Sequence, residues 1–493
     1  MMLKSGGNAV DAALAAAICL TVVEPTSNGI GSDAFAIIWD GSRLHALNGS
    51  GRSPKAWRYE QFTKYQTMPT LGWETVTVPG AVSTWVALSE RFGKLPFEKL
   101  FEPAIRHARD GYAVTPITAT AWQRAENRYQ SLPNFADLFL PKGHTPRDGE
   151  IFRSQEMVDT LTEIAKTKGE SFYRGRLAEI ISTTSKSEGG LMTINDLAEH
   201  RCEWTDTLSV NYGEQTVHEI PPNGQGLAAL IALGILERFD LANYSIDSAD
   251  SVHLQVECMK LGLVDIARHL ADPNWMTVTP EQLLTPDRLD RLAETVDMSQ
   301  ASYPDDQIQR EHGTVYLTTA DHTGMMVSFI QSNFMGFGSG VVIPGTGISL
   351  QNRGHGFSLV KGHPNQIDGG KRPYHTIIPG FVTREDRPLM SFGVMGGHMQ
   401  AQGHLQMVTR IFDYGLDPQA ASDFPRWFIT ENYDLAVEPG YAPELLADLS
   451  NRGHRILTDL DRSQFGGAQL IYNDGERYFA GSDRRKDGRA LSF

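Results

Sequence analysis

The apolar positions along the chain predict a helix-rich first part and a strand-rich last part. Between residues 79 and 197, apolar side chains recur every three to four positions, as in helices with one buried face. From residue 313 onward, short runs of β-branched and apolar residues between turns predict strands. The predicted helices are 9–22, 81–91, 97–111, 154–167, 175–184, 227–239, 252–270, 399–412 and 443–452. The predicted strands are 34–39, 208–220, 314–320, 325–331, 340–343, 376–383, 389–393 and 468–472. Because strands and helices occur in runs, we expect an α+β fold with antiparallel sheets covered by helices.

The first predicted helix, 9–22, is apolar on nearly every side and is expected in the core. Chains seldom begin so close to a core helix, so we expect Met1 and Met2 to mark a late start or a truncated gene model, with an edge strand lost upstream. The apolar run 12–23 is too short to span a membrane, and its flanks do not fit a secretory signal peptide.

Composition narrows the class of protein. The 493 residues include 44 basic and 59 acidic side chains, a formal net charge of −15, which argues against a nucleic-acid partner. The cysteines, Cys19, Cys202 and Cys258, cannot form a disulfide framework and fit a reducing compartment. We therefore expect a soluble, cytoplasmic protein with neither a nucleic-acid nor a membrane partner.

Common catalytic motifs are absent from the sequence. It contains no Walker A motif, no His-Glu-x-x-His, no paired Cys-x-x-Cys and no Gly-x-Ser-x-Gly. The glycine-rich run 336–340 lacks the βαβ context of a phosphate-binding loop. Histidines crowd the last third without clean metal-ligand spacing: His312, His322, His355, His363, His375 and His398. We expect neither a metal nor an organic cofactor.

One junction has a composition suited to a nucleophile. The polar segment 280–309 reads as an exposed linker, and beyond it Gly313 precedes Thr314, which begins a buried strand. A threonine hydroxyl needs a base beside it, and the α-amine of the same residue serves if the preceding peptide bond is cut. From these residues alone, a strand that begins with a β-branched residue is the simpler interpretation.

A series of ordered motifs changes this interpretation. The chain opens with Gly6-Gly7-Asn8-Ala9-Val10-Asp11-Ala12-Ala13, Glu24-Pro25 and Gly29-Ile30-Gly31. Further motifs are Thr77-Val78-Pro79-Gly80, Pro221-Pro222-Asn223-Gly224-Gln225-Gly226, His253 with Glu257, Asp272-Pro273, residues 321–328, Phe337-Gly338-Ser339-Gly340, Pro379 and Gly396-Gly397. Over most of its length the chain thus resembles the gamma-glutamyltransferase family of self-processing N-terminal-nucleophile hydrolases.

The resemblance implies a four-layer αββα sandwich and cleavage between Gly313 and Thr314. Chain 1–313 would be the large chain and 314–493 the small chain, together forming one αββα domain. Thr314 matches the family's nucleophile, and Ser332 matches a second hydroxyl residue that hydrogen-bonds the nucleophile. Gly396 and Gly397 match the glycine pair whose amides form the oxyanion hole.

The substrate-binding positions depart from the family pattern. The family's arginine, which opens an Arg-Glu-x-Ala-Pro motif, is replaced by Ser50, and Arg52 lies two residues later. The family's aspartate is replaced by Gly356 within Gln351-Asn352-Arg353-Gly354-His355-Gly356-Phe357-Ser358. These changes remove a carboxylate clamp and the counter-ion of an ammonium group.

Other residues at these positions add potential positive charge. A serine pair of the family becomes His375-Thr376, and Arg353 stands within the altered aspartate motif. The pattern resembles a divergent branch that includes oxamate amidohydrolase-like enzymes. We expect a substrate that carries a carboxylate but no free amine, bound by Arg353, His375 and Thr376, with Arg52 as the competing anchor.

The resemblance therefore implies an enzyme acting on amide bonds, by gamma-glutamyl transfer or glutathione hydrolysis. One alternative is hydrolysis of another amide, such as oxamate or an acylated amine. The other is an unprocessed, inactive family member that only binds ligands. The implied partners are a small amide or gamma-glutamyl substrate and the two chains of one precursor, with a homodimer and a heterotetramer both open.

Overall fold

The computed structural model describes residues 1–306 and 313–492. Its α-helices are α1 (Ala9–Val23), α2 (Tyr59–Phe62), α3 (Ala81–Phe92), α4 (Phe97–Asp110), α5 (Pro116–Tyr129), α6 (Pro133–Phe139), α7 (Gln155–Thr167), α8 (Glu170–Arg174), α9 (Arg176–Ser187), α10 (Ile194–Glu199), α11 (Gly226–Leu236), α12 (Ala249–His269), α13 (Pro280–Leu283), α14 (Pro286–Ala293), α15 (Met399–Phe412), α16 (Pro418–Asp423) and α17 (Pro443–Asn451). Short 3₁₀ turns lie at Leu3–Ser5, Trp73–Thr75, Leu241–Asn243, Pro273–Trp275, Arg353–Gly356 and Arg462–Phe465.

The strands are β1 (Asp33–Trp39), β2 (Leu44–Asn48), β3 (Tyr112–Ala113), β4 (Ile151–Phe152), β5 (Glu203–Thr205), β6 (Leu208–Tyr212), β7 (Gln215–Glu219), β8 (Val315–Ala320), β9 (Met326–Ser332), β10 (Val342–Ile343), β11 (Ile348–Ser349), β12 (Gly380–Arg384), β13 (Arg387–Met395), β14 (Trp427–Ile429), β15 (Leu435–Val437), β16 (Ile456–Leu457), β17 (Gly467–Asn473) and β18 (Tyr478–Ser482). They belong to two compact units, Met1–Thr205 with Gly313–His375, and Asp206–His312 with Thr376–Phe493.

The first unit is built on an antiparallel five-stranded sheet in the order β5-β2-β1-β9-β8. Helix α1 packs against β8 and β9 of this sheet and against α3 and α4. Neighbours on several sides explain why α1 is apolar nearly all round, as its sequence predicts. The helix begins at a capping box in which Asn8 and Asp11 each accept a backbone hydrogen bond of the other.

The second unit has a six-stranded antiparallel sheet in the order β18-β17-β13-β12-β7-β6. Helix α11 is buried at every residue and packs against β6, β7, α12 and α15. Each unit thus combines an antiparallel sheet with helices, which confirms the predicted α+β class. Both units contain residues from either side of Gly313, so the two units do not correspond to the predicted chains 1–313 and 314–493. The division into these two chains by cleavage stays a prediction.

Several predicted elements differ in detail from the structure. The predicted strand 208–220 is a hairpin, because the chain reverses at Gly213, whose φ is +57°. The predicted strand 376–383 begins only at Gly380. The polar segment 280–309, expected as an exposed linker, contains the short helices α13 and α14, and its last three residues lie outside the described part. His312 also lies outside it.

The sequence predicts that the apolar run 12–23 is too short to span a membrane. Among the helices of the described residues, none is both long and apolar enough to cross a membrane.

Candidate active site

Three neighbouring strands of the first unit end at the same point. Asp33, the first residue of β1, pairs directly with Ser332, the last residue of β9. On the other side of β9, Val315 pairs with Gln331 in an antiparallel register. Thr314, which precedes Val315, therefore lies opposite Ser332, which follows Gln331. Directly paired residues share one face of a sheet. The side chains of Asp33, Ser332 and Thr314 are therefore collected at one sheet end, and all three are buried.

The Ser332 hydroxyl is the centre of this group. Its Oγ lies 3.2 Å from Oγ1 of Thr314 and donates to the carbonyl oxygen of Gly313 at 2.6 Å. It accepts from the backbone N–H of Phe334 at 2.7 Å and from Nη2 of Arg353 at 2.6 Å. Oγ1 of Thr314 is itself 2.7 Å from the Gly313 carbonyl oxygen. Two hydroxyl groups thus flank the peptide bond before Thr314. The sequence predicted the Thr314–Ser332 contact, and the structure brings the two together.

Gly313 has a conformation that requires glycine. Its φ is +142°, and a Cβ built on it would lie 2.6 Å from the carbonyl oxygen of Phe334 and 2.7 Å from the amide nitrogen of Gly336. Both neighbours are backbone atoms, which cannot move aside as a flexible side chain can. The peptide before Thr314 is therefore held in close contact with residues 334–336.

Phe334 and Arg353 form the wall beside Ser332. Phe334 has a φ of +77°, a conformation that is costly for an aromatic residue. Its backbone N–H bonds Ser332, and its ring lies 4.4 Å from the guanidinium carbon of Arg353. Burial lowers the pKa of Arg353 to about 9, although the nearby Asp33 carboxylate opposes this shift. Arg353 therefore keeps its positive charge at neutral pH.

Asp33 was not among the predicted site residues. Its Oδ1 accepts from the N–H of Gly80 at 3.0 Å, and its Oδ2 lies 3.1 Å from Nε2 of His375. Burial raises the pKa of Asp33 to about 7, against the opposite effect of Arg353. The sequence predicted the loss of an acidic counter-ion at the substrate-binding positions. The structure instead has a carboxyl group, that of Asp33, beside Arg353. The only sequence signal was a carboxylate at the start of a fully buried strand.

His375 differs from the sequence-based expectation in charge. It is completely buried, and its ring packs edge-on against Phe35 with 4.8 Å between centroids. Burial, with Arg353 and Arg372 nearby, lowers the pKa of His375 well below its usual value. The expected additional positive charge is therefore not present at neutral pH, and His375 is a neutral partner of Asp33.

Arg52 lies in a different environment. It donates to the carbonyl oxygen of Gly370 at 3.3 Å and pairs with Glu203 at 3.4 Å. Arg372 also pairs with Glu203, at 2.8 Å. These three side chains line a polar cavity of about 330 Å³. Among the described residues, the lining of this cavity includes neither Thr314 nor Arg353.

The remaining predicted site residues belong to the second unit. Gly396 and Gly397, with φ of +135° and +61°, form the turn between β13 and α15. Nε2 of Gln225 donates to the carbonyl oxygens of Gly397 at 2.8 Å and Thr376 at 2.5 Å, which fixes this turn beside Thr376. Gln225 was not assigned this role from the sequence. The expected oxyanion role of the glycine pair stays a prediction.

The second unit also contains a histidine cluster that residue spacing did not reveal. His253, Glu257 and His454 are buried close enough together to hold a metal ion. Nδ1 of His253 lies 2.8 Å from Nε2 of His454, and Lys260 pairs with Glu257 at 2.8 Å. The buried ammonium of Lys260 disfavours a further cation here. We interpret the cluster as a hydrogen-bonded part of the core.

Comparisons with known proteins show what the whole chain is similar to. The family model described as gamma-glutamyltranspeptidase matches residues 1–493. A glutathione hydrolase-like YwrD proenzyme of Bacillus subtilis is 35% identical over 100% of this chain and 95% of its own length. An oxamate amidohydrolase proenzyme of Klebsiella pneumoniae is 34% identical, again over 100% and 95%. The crystal structure of a cephalosporin acylase from Bacillus halodurans is similar with a TM-score of 0.96 and 47% identity, covering 100% of this chain and 92% of that one. The fold predicted from the resemblance, that of the N-terminal-nucleophile hydrolases, is confirmed.

Replacing Gly313 with alanine should slow cleavage before Thr314 by at least tenfold. The added methyl group would meet the Phe334 carbonyl oxygen, and alanine disfavours the observed φ. Cleavage is followed as the appearance of two bands on denaturing gels. The matched control is Gly345→Ala, because Gly345 also has a positive φ of +68° but open space around its Cβ position. Equal cleavage rates for the two variants would contradict the importance of this contact.

Proposed function

This chain belongs to the gamma-glutamyltranspeptidase family, and we propose that it is a self-processing N-terminal-threonine hydrolase of amide bonds whose nucleophile is Thr314. The observation that carries the proposal is the position of the Thr314 hydroxyl, 2.7 Å from the carbonyl oxygen of the residue before it. The Ser332 hydroxyl on the same carbonyl oxygen supports it.

Self-processing would begin with attack of Thr314 Oγ1 on the carbonyl carbon of Gly313. The carbonyl oxygen gains negative charge, which the hydrogen bond from Ser332 stabilises. The C–N bond then breaks, the proton of the hydroxyl passes to the amine, and an ester joins Gly313 to Thr314 Oγ1. Water hydrolyses the ester and leaves fragments of 313 and 180 residues, since 493 − 313 = 180.

Turnover of substrate would repeat this chemistry on another carbonyl. The freed α-amine of Thr314 takes the hydroxyl proton while Oγ1 attacks the substrate amide. The amine product leaves with a proton, and water releases the acyl group as a carboxylate. We assign stabilisation of the oxyanion to the amides of Gly396 and Gly397, as the family resemblance implies.

The substrate class follows from the charges near Thr314. Ser50, at the family's arginine position, is buried and bonds Asn48. At the family's aspartate position, a Cβ on Gly356 would lie 2.5 Å from the carbonyl oxygen of Tyr374, so a larger side chain has no room. Arg353 is the cation beside Ser332. These features favour a substrate with a carboxylate near the scissile amide and no α-amine, such as oxamate.

Asp33 does not restore the missing counter-ion for an ammonium group. Its oxygens face Gly80, the backbone of Gly51 and His375. With a pKa of about 7, the carboxyl is uncharged in about half of the molecules at neutral pH. Gamma-glutamyl hydrolysis is the second candidate, favoured by the similarity to the YwrD proenzyme and by Arg52 as an alternative anchor.

We place both activities in the cytoplasm, on the basis of the cysteine usage, and leave a homodimer and a heterotetramer open.

Thr314→Ala should remain one band on denaturing gels, whereas the unaltered chain separates into fragments of roughly 35 and 20 kDa, at about 110 Da per residue. The variant lacks the attacking oxygen. Thr314→Ser keeps that oxygen and is the matched control, so it should still split. N-terminal sequencing of the small fragment should begin at residue 314. Cleavage of Thr314→Ala at the same bond would show that this hydroxyl is not the agent.

The processed enzyme should hydrolyse oxamate with a kcat/KM about a hundredfold above that for a gamma-glutamyl anilide. Two missing charge-assisted contacts each cost about 1.5–3 kcal/mol, and tenfold corresponds to about 1.4 kcal/mol. Arg353→Lys should lose most oxamate activity, while Arg52→Ala should lose little. Because Arg353 also bonds Ser332, we expect its variants to process more slowly, and rates are compared on fully cleaved protein. A preference for the anilide, with Arg52→Ala inactive, would reverse the assignment.

Removal of metal ions should leave the activity unchanged. The proposed chemistry uses a hydroxyl, an amine and N–H donors only. Hydrolysis is measured after dialysis against EDTA, and His454→Gln serves to test the histidine cluster separately. Loss of activity that zinc restores in the unaltered chain, but not in His454→Gln, would contradict this prediction and make the cluster a metal site.

A further inference from the structure

Asp33 and Arg353 both lie beside the same serine, Ser332. Asp33 faces Ser332 across β1 and β9, and Arg353 bonds the Ser332 hydroxyl. Both are buried, and each acts electrostatically on the other. A buried guanidinium with a single carboxylate nearby is close to charge balance. A second carboxylate brought to the same guanidinium would leave an excess of negative charge among buried side chains.

Two carboxylates that share one buried site do not both remain ionised. The pKa of one of them rises until it takes up a proton, as in pairs of catalytic aspartates. A substrate carboxylate bonded to Arg353 would be the more strongly stabilised of the two, because it gains charge-assisted hydrogen bonds. Asp33, which faces backbone amides and His375, would take the proton.

We propose that Asp33 is a specificity-determining residue, which couples the binding of a substrate carboxylate to the uptake of one proton on its own carboxyl group. The inference rests on the proposed function, because it requires a carboxylate-bearing substrate on Arg353. It adds that the preference for this substrate depends on pH, through Asp33, a residue to which the family resemblance assigned no role. Asp33 does not touch the reacting atoms and acts through charge.

His375 makes both states of Asp33 acceptable. A neutral imidazole can donate a hydrogen bond from Nε2–H to a carboxylate, or accept one at Nε2 from the O–H of a carboxyl group. With Nε2 of His375 3.1 Å from Oδ2, either arrangement keeps a partner for Asp33. A residue that carries a fixed positive charge at this point would instead hold Asp33 ionised.

The groups acting on Asp33 set the pH range. Among the described residues, Arg353, Arg372 and the backbone N–H groups of Gly80 and Gly51 favour the ionised form. Neutral His375 and the buried hydroxyl of Tyr173 also face the carboxyl group. Burial dominates and raises the pKa of Asp33 to about 7. Below this value Asp33 already holds its proton and the carboxylate binds without further uptake. Above it, each pH unit should weaken binding about tenfold.

The test compares two amides of nearly the same shape, oxamate, which carries a carboxylate, and oxamide, which is neutral. KM and kcat are measured on the processed enzyme from pH 6 to pH 8, below the pKa of about 9 of Arg353, so that the guanidinium keeps its charge over the whole range. For oxamate, KM should be flat to about pH 7 and then rise about tenfold per pH unit, while KM for oxamide stays flat. In Asp33→Asn, which mimics the protonated carboxyl, KM for oxamate should be flat throughout and about tenfold lower than in the unaltered enzyme at pH 8.

A second measurement needs no variant and so does not depend on the folding of Asp33→Asn. Calorimetry of oxalate binding to the processed, unaltered enzyme in buffers of different ionisation enthalpy counts protons. About one proton should be taken up per oxalate at pH 8 and almost none at pH 6. No proton uptake at pH 8, or a KM slope for oxamate that persists in Asp33→Asn, would overturn the inference while leaving the proposed function intact.

Failure of the proposed function has a different signature. If the processed enzyme cleaves a gamma-glutamyl anilide but not oxamate at any pH, the carboxylate-only substrate class is wrong, and the inference falls with it. If Asp33→Asn lowers activity on the anilide alone, Asp33 holds a substrate ammonium group, which also overturns the inference.

Discussion

The hydrogen bonds of the Ser332 hydroxyl connect Thr314, the carbonyl group of Gly313 and Arg353. This single oxygen contacts the carbonyl of the bond to be cut, the hydroxyl that would cut it, and the guanidinium that would hold the substrate. The backbone N–H of Phe334 holds the oxygen in place, at the cost of a positive φ for a phenylalanine. The same wall of backbone atoms requires glycine before Thr314. Under the proposed function, processing and substrate recognition would share one set of contacts, and a change in either is expected to affect the other.

Desolvation determines the charges around this oxygen. Ordinary pKa values would give an ionised Asp33 and a partly charged His375, but burial raises the first pKa and lowers the second. Burial also lowers the pKa of Arg353, but only to about 9, so Arg353 keeps its positive charge at neutral pH. The result is a positively charged Arg353 beside an acid, Asp33, whose pKa is about 7. Under the proposed function, these charges favour a substrate with a carboxylate over a glutamyl group, which carries an additional ammonium.

Local patterns in the sequence predicted the elements that carry the nucleophile. The alternation after Thr314 and the turn 321–324 gave strands β8 and β9 within one residue of their observed starts, and the apolar helix α1 was predicted to within one residue. Asp33 escaped prediction because its importance depends on β1 pairing with β9, which brings together residues 299 positions apart (332 − 33 = 299). The charge of His375 depends on burial among distant segments, which no local pattern reports. Thr314 was a candidate from its position after Gly313, but only the resemblance to a family favoured it as the nucleophile and identified Ser332.

Covalent labelling during turnover identifies the residue that attacks the substrate. The processed enzyme is mixed with an amide substrate, quenched in acid within the first turnovers, and its fragments are analysed by mass spectrometry. We expect an acyl group in ester linkage on the N-terminal residue of the small fragment, Thr314, and none on the large fragment. Steady turnover with no adduct on Thr314, or with an adduct on another residue, would contradict it.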